Sequence, residues 1–192
     1  MPEPTQLFLY TAAALLLAVT PGPGIFYVAA RTLAGGRAEG IASSFGTGLG
    51  GMVHVFAGSL GVSALVLASA ELFTALKLAG AAYLIWIGWR TMRAAQREGR
   101  TATDVDVVPP AGVGRAFREG IFVEALNPKT AAFFLAFVPQ FVDPSAGGVA
   151  IHFVVLGSIS VAFNTLADIV VAFAAGGIRD GASARPQLVR RL

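Results

Sequence analysis

The stretch Leu7–Ala30, LFLYTAAALLLAVTPGPGIFYVAA, decides the fold class. It runs for 24 residues without a charged side chain, and it contains Thr20-Pro21-Gly22-Pro23-Gly24. A helix needs about 20 mostly apolar residues to cross the hydrocarbon core of a bilayer. Four comparable runs follow. Ile41–Ala70 carries only His54, Leu72–Trp89 only Lys77, Gly120–Val142 only Glu124 and Lys129, and Pro144–Ile178 only His152 and Asp168. Backbone groups in lipid must be paired internally, which leaves helices or a closed barrel. The runs are continuous rather than alternating, so helices are expected. The fold class is therefore an all-α integral membrane protein with five transmembrane helices in this chain.

Composition agrees. Of the 192 residues, 55% are hydrophobic and 13% charged, and the mean hydropathy is +0.70. A soluble domain carries about 25% charged residues, and half that charge cannot coat one of this size. A cytosolic enzyme, a disordered chain and a nucleic-acid-binding module are thereby argued against. With zero Cys there are no disulfides, thiolate metal sites or Cys nucleophiles.

The 14 Lys and Arg residues map the topology. Arg31 and Arg37 lie between the first two runs. Arg90, Arg93, Arg97, Arg100, Arg115 and Arg118 lie between the third and fourth, and Arg179, Arg185, Arg190 and Arg191 form the tail. The N-terminus, the Ser69–Glu71 turn and the Phe141–Gly148 loop carry only acidic charges. Positive charge concentrates on the cytoplasmic side of membrane proteins. The N-terminus is thus expected outside, and the basic loops and tail in the cytoplasm. Leu7–Val19 lacks the basic n-region of a cleaved signal peptide.

The polar stretch Arg90–Arg118 contains Pro109-Pro110 and Gly112 and reads as a flexible linker. The expected organisation is one membrane transporter domain, 1–192. Half one covers 1–92, a cytoplasmic linker 93–118, half two 119–178 and a basic cytoplasmic tail 179–192. Each half opens with an interrupted helix, at Thr20–Gly24 and at Asn127-Pro128-Lys129. Proline inside a helix removes a backbone donor and clashes with the preceding turn. Prolines in membrane helices often only kink them, but two breaks at corresponding places point to a transporter site. Three spans before the linker would invert the second half relative to the first.

At these residues the sequence resembles the lysine exporter (LysE) family of amino-acid translocators. The resemblance rests on Thr20-Pro-Gly-Pro-Gly24, Gly46-Thr-Gly-Leu-Gly-Gly51 and Tyr83-Leu-Ile-Trp-Ile-Gly88. It continues through Phe117-Arg-Glu-Gly120 and Asn127-Pro-Lys129 to Phe133–Phe141, in the expected order over most of the chain. It implies an exporter of amino acids or close derivatives in the cytoplasmic (inner) membrane, driven by the proton gradient. Family members usually carry six helices as a 3+3 inverted repeat. This chain reaches Leu192 within the basic stretch after its fifth run, so the last helix is expected to be missing.

Intramembrane charge is costly and usually functional. Asp168 lies deep in the fifth run, and Asn164, four residues earlier, shares its helical face. Burial favours the neutral form of an acid, which suits Asp168 to proton coupling or to binding an amine. A structural anchor is the alternative. Glu124 and Lys129 flank Asn127-Pro128. A zwitterionic amino acid needs donors for its carboxylate, such as Lys129 or a half-helix N-terminus after Pro21 or Pro128. Its ammonium needs acceptors, such as Glu124 or Asp168. Lys129 could instead snorkel to the interface. Lys77, near the outer end of its run, is read that way. His54 is mid-span and either packs or titrates in a wet cavity. The candidate substrate-binding or coupling residues are Thr20, Pro21, Gly22, Pro23, His54, Glu124, Asn127, Pro128, Lys129, Asn164 and Asp168.

No catalytic residue, cofactor or metal site is expected, because no His/Asp/Glu cluster has ligand spacing. Gly46–Gly51 matches G-x-G-x-x-G, but the strand context of a dinucleotide site is absent. Small residues there suit close helix packing or a pathway lining. Expected partners are an amino-acid substrate, protons and the lipid bilayer, with no nucleic acid. The small-residue faces leave room for a homodimer. The alternatives are an exporter of another small solute or a metal cation, an intramembrane enzyme, and a non-catalytic membrane assembly component.

Overall fold

Leu67 is 88% exposed while Ser43 and Ser44 are buried. That inversion of the soluble pattern is what a lipid-facing surface requires. The computed structural model describes residues 3–98 and 109–183, and among these there are helices and no strands. Residues 99–108 of the expected linker and 184–192 of the expected tail, with Arg100, Arg185, Arg190 and Arg191, lie outside the described residues.

Among the described residues seven α-helices follow one another: α1 (Pro4–Val19), α2 (Pro23–Gly35), α3 (Arg37–Ala68), α4 (Ala70–Glu98), α5 (Val113–Ala125), α6 (Pro128–Ala132) and α7 (Val149–Ser183). A π-helical turn, Phe133–Phe137, and a 3-10 turn, Val138–Phe141, continue α6. By length and apolarity α3 and α7 each qualify as a membrane span. At 32 and 35 residues they run about 48 and 52 Å. Two bent pairs qualify together: α1 with α2, bent by 45°, and α5 with Pro128–Phe141, bent by 43°. By length and composition these give up to four spans among the described residues; α4 has 29 residues.

The ends of the apolar runs differ from the ends of the helices. Helix α5 begins at Val113, seven residues before the run at Gly120, because its Arg and Glu residues are satisfied by neighbours and do not interrupt the backbone ladder. Charge marks the edge of lipid, not the end of a helix. Conversely, Pro144–Ile178 becomes α-helical only at Val149, because Gly147 and Gly148 hold positive φ values of 70° and 63°. The segment read as a linker is helical at both ends, through Glu98 and from Val113.

Within the helices, hydroxyls turn inward on their own backbone. Thr32 donates to Val28 O, Ser43 to Glu39 O and Ser44 to Gly40 O, at 2.7, 2.8 and 3.0 Å. Each polar group is thereby satisfied without water.

The chain forms two compact units, and neither coincides with a half of the sequence. The first comprises the residues up to Ala13, those from Met52 through α4, and Pro128–Ile159. Here the buried Tyr10 hydroxyl donates to Leu156 O at 2.7 Å, and its ring stands among Phe133, Phe137 and Phe141. Pro139 has no N–H to offer the preceding turn, and the Gln140 amide donates to Ala136 O and to Lys77 O of α4 instead. Gly80 of α4 packs directly on Ala136.

The second unit comprises Ala14–Gly51, Pro109 to Asn127, and Ser160 through α7. Its core is a close approach of backbones. A β-carbon at Gly46 or Gly50 of α3 would collide with the carbonyl oxygens of Phe117 or Ile121 on α5. One at Gly120 of α5 would stand 2.8 Å from Ser43 O. Gly48 and Gly51 instead face Thr165 and Val161 of α7. Glycines on two faces thus admit α5 on one side of α3 and α7 on the other.

Replacing Gly50 with Val forces α3 and α5 apart. The expected cost is about 1–3 kcal/mol, read as a lower thermal midpoint in detergent. Gly61→Val, a position with no neighbour within 4 Å, is expected not to lower it.

Candidate functional site

Both proline breaks deliver residues to the second unit. Helix α1 ends where the Thr20 hydroxyl folds back to Leu16 O at 2.6 Å. Gly22 is extended, with φ −157° and ψ 179°, and Pro23 opens α2 in the first turn, where a missing N–H costs no intrahelical bond. Helix α2 then has no side-chain cap at its start. At the other break α5 stops at Ala125, and the Asn127 N–H reaches Glu124 O at 3.0 Å just before Pro128.

The two segments meet at Gly24. A β-carbon on Gly24 would stand 2.7 Å from Glu124 Oε2 and 3.8 Å from the Thr47 methyl carbon. Glu124 is 7% exposed, and its Oε2 accepts from Asn127 Nδ2 at 2.9 Å. Its carboxylate therefore lies against the first turn of α2, where peptide dipoles favour negative charge. The Thr47 hydroxyl contacts Asp168 Oδ2 at 2.7 Å, and Asp168 is 4% exposed. Two hydrogen-bonded pairs, Asn127–Glu124 and Thr47–Asp168, thus both border Gly24 within this unit.

Thr47 Oγ1 also lies 2.9 Å from Ser44 O. A hydroxyl has one proton and can also accept. With Asp168 ionised, Thr47 donates to the carboxylate. With Asp168 protonated, the acid can donate to Thr47 while Thr47 turns its proton to Ser44 O. The pair is hydrogen-bonded in either state.

Of the residues singled out from the sequence, the structure brings Glu124, Asn127 and Asp168 into these pairs, and Gly22 and Pro23 directly precede Gly24 in the chain. Asn164 is half-buried on α7 in the same unit. Pro128, Lys129 and His54 belong to the first unit, where His54 stacks on Phe134 with ring centres 6.1 Å apart. Lys77 there lies over the Phe73 ring at 5.4 Å. Sequence reasoning missed Gly24 and Thr47 as site residues, although both stood in quoted motifs. Among the described residues no group of three or more His, Asp or Glu is placed to hold a metal ion.

Toward the arginine-rich end, α2 continues along α5. The Tyr27 hydroxyl donates to Ala116 O at 2.8 Å, and the buried Arg31 pairs with Glu119 through Nη2 and with Pro109 O through Nη1. Arg115 pairs with the other oxygen of Glu119 at 2.6 Å.

The profile of the family described as LysE type translocator matches residues 15–190. The chain belongs to the LysE-type translocator family. This translocator is 35% identical over 153 residues to a homoserine/homoserine lactone efflux protein of Salmonella typhimurium, covering 78% of the chain and 70% of the relative. It is 33% identical over 162 residues to an uncharacterized membrane protein of Pseudomonas aeruginosa, covering 81% and 72%. A leucine efflux protein of Klebsiella pneumoniae is 28% identical over 149 residues, covering 77% and 68%. No solved structure matches the translocator.

In the translocator, hydrogen bonds from Arg115 and then Arg31 hold the Glu119 carboxyl below its usual 4.5. Glu119 lies before the apolar run. With its folded value below the unfolded one, it stabilises the fold above about pH 4.5, and that contribution fades as the pH falls through the lowered value. Glu119→Gln is therefore expected to lower the thermal midpoint at pH 7 and to flatten its acid-side decline; melting curves from pH 7 to 3 check this.

Proposed function

We propose that this chain is a secondary transporter that exports amino acids or close derivatives across the cytoplasmic membrane, coupled to protons. It is no enzyme in this reading: five helices cross the bilayer, and the arginine-rich ends face the cytoplasm. The observation that carries the proposal is the buried Glu124 carboxylate, held by Asn127 against Gly24 where the two interrupted segments meet. The family, and the efflux relatives named for homoserine, homoserine lactone and leucine, support the class of solute.

An amino acid brings a cation and an anion on one carbon. Its ammonium is taken by Glu124, the acceptor already desolvated at the site. Its carboxylate is taken by N–H groups in the first turn of α2, whose positive end faces the same place. Asp168 loads and releases the coupling proton, and Thr47 keeps it hydrogen-bonded in both states, so that neither form is left unsatisfied inside the membrane. Gly24 leaves the room in which Glu124 sits. Thr20, Pro21, Gly22 and Pro23 shape the entry to α2, and Asn164 lines the same stretch of α7 as Asp168.

Proteoliposomes loaded with homoserine, homoserine lactone, threonine, leucine and lysine are expected to release at least one of them saturably, faster with an imposed pH gradient. Release of none by a folded protein overturns the reading. Asp168→Asn is expected to abolish the dependence on the pH gradient; an unchanged dependence removes Asp168 from coupling. Gly24→Ala should lower export about tenfold or more by displacing Glu124. Its thermal midpoint should hold, because Ala in a helix is favoured over Gly by about 0.5–1 kcal/mol.

A further inference from the structure

Helix α5 begins in an unusual way. Its N-cap is Gly112, with φ 81° and ψ 149°. This backbone is open to glycine and strained for any L side chain. Residues that ordinarily cap a helix do so with a side-chain oxygen, and glycine has none, so α5 has no cap of its own. The cap comes from another helix. The Glu39 carboxylate, in the first turn of α3, accepts the Gly112 N–H at 2.7 Å and the Ala111 N–H at 3.1 and 3.2 Å.

Glu39 is 5% exposed. Its charge stands at the positive ends of two helices, α3 and α5, which offsets part of its burial. The side chain reaches α5 by folding over Gly35, where a β-carbon would collide with its carboxyl group. Arg31, Nη1 on Pro109 O, holds the same Pro109–Gly112 strap from α2. Tyr27 grips α5 one turn further on, at Ala116 O.

Glu124 sits at the far end of the same helix. Thirteen residues of α-helix form a stiff rod of about 20 Å, so what holds the α5 N-terminus acts, together with the glycine contacts to α3, on the height of Glu124 beside Gly24.

We propose that Glu39 is a positioning residue for transport: as the cap of α5 supplied by α3, it fixes Glu124 in register with Gly24. The inference rests on the export reading and adds a residue outside the two pairs at Gly24.

The test uses the full chain in proteoliposomes, with whichever amino acid of the panel the unmodified protein exports. Glu39→Gln keeps the shape and removes the charge. It is expected to raise KM about three- to tenfold, with the maximal rate per folded molecule nearly unchanged, and to speed hydrogen exchange at the Ala111 and Gly112 amides. Gly35→Ala leaves Glu39 in the chain but pushes its carboxyl group aside, and is expected to reproduce the KM shift. It serves in place of Glu39→Gln should that variant not accumulate. Glu39→Asp, with its charge retained on a shorter reach, should restore KM in part. A purely structural role predicts less folded protein with KM unaltered, and that result in both Glu39→Gln and Gly35→Ala overturns the inference while leaving export intact. Absence of export from the unmodified protein overturns both together.

Discussion

Lipid offers a peptide group nothing to bond with, and every interruption of a helix in this chain has to be answered from within. The answers are specific. Thr20 returns to Leu16 O at the end of α1, Pro23 enters α2 where its lost donor is not needed, and the Asn127 amide and side chain both turn to Glu124 at the end of α5. Glycine 112 cannot cap its own helix, and Glu39 does it from α3. The same requirement that keeps the backbone satisfied gathers a carboxylate and an amide at the second break, where the proposed site lies.

The breaks themselves were legible in the sequence, because proline announces the loss of a donor whatever surrounds it. So were the apolar runs, because the absence of charge over some twenty residues has few other causes. The helix ends were not. Charged residues at 115, 118 and 119 looked like the border of a linker, yet α5 runs through them because Arg31 and Arg115 satisfy Glu119. Nothing within a few positions of Glu119 reveals a partner 88 residues away.

The site was half legible. Glu124, Asn127 and Asp168 stand out as polar groups in apolar surroundings. Thr47 and Gly24 do not, since a threonine and a glycine are unremarked in any membrane helix. Their meaning is relational: Gly24 matters because of what occupies the space its side chain would fill, and Thr47 because a carboxylate from α7 lies within its reach. The glycine cluster at 46–51 signalled close packing, but only the structure assigns Gly46 and Gly50 to α5 and Gly48 and Gly51 to α7.

That assignment has a mechanical consequence. Helices usually lock because the ridges of one enter the grooves of another. Along Gly46–Gly51 the spaces that side chains would fill are occupied from both neighbours, by Thr165 and Val161 of α7 and by the Phe117 and Ile121 carbonyls of α5. An axial slip of α3 would drive these groups against residues that carry a β-carbon, so the glycines act as keyways that hold the three helices in one register, with Thr47 pinned to Asp168 between them.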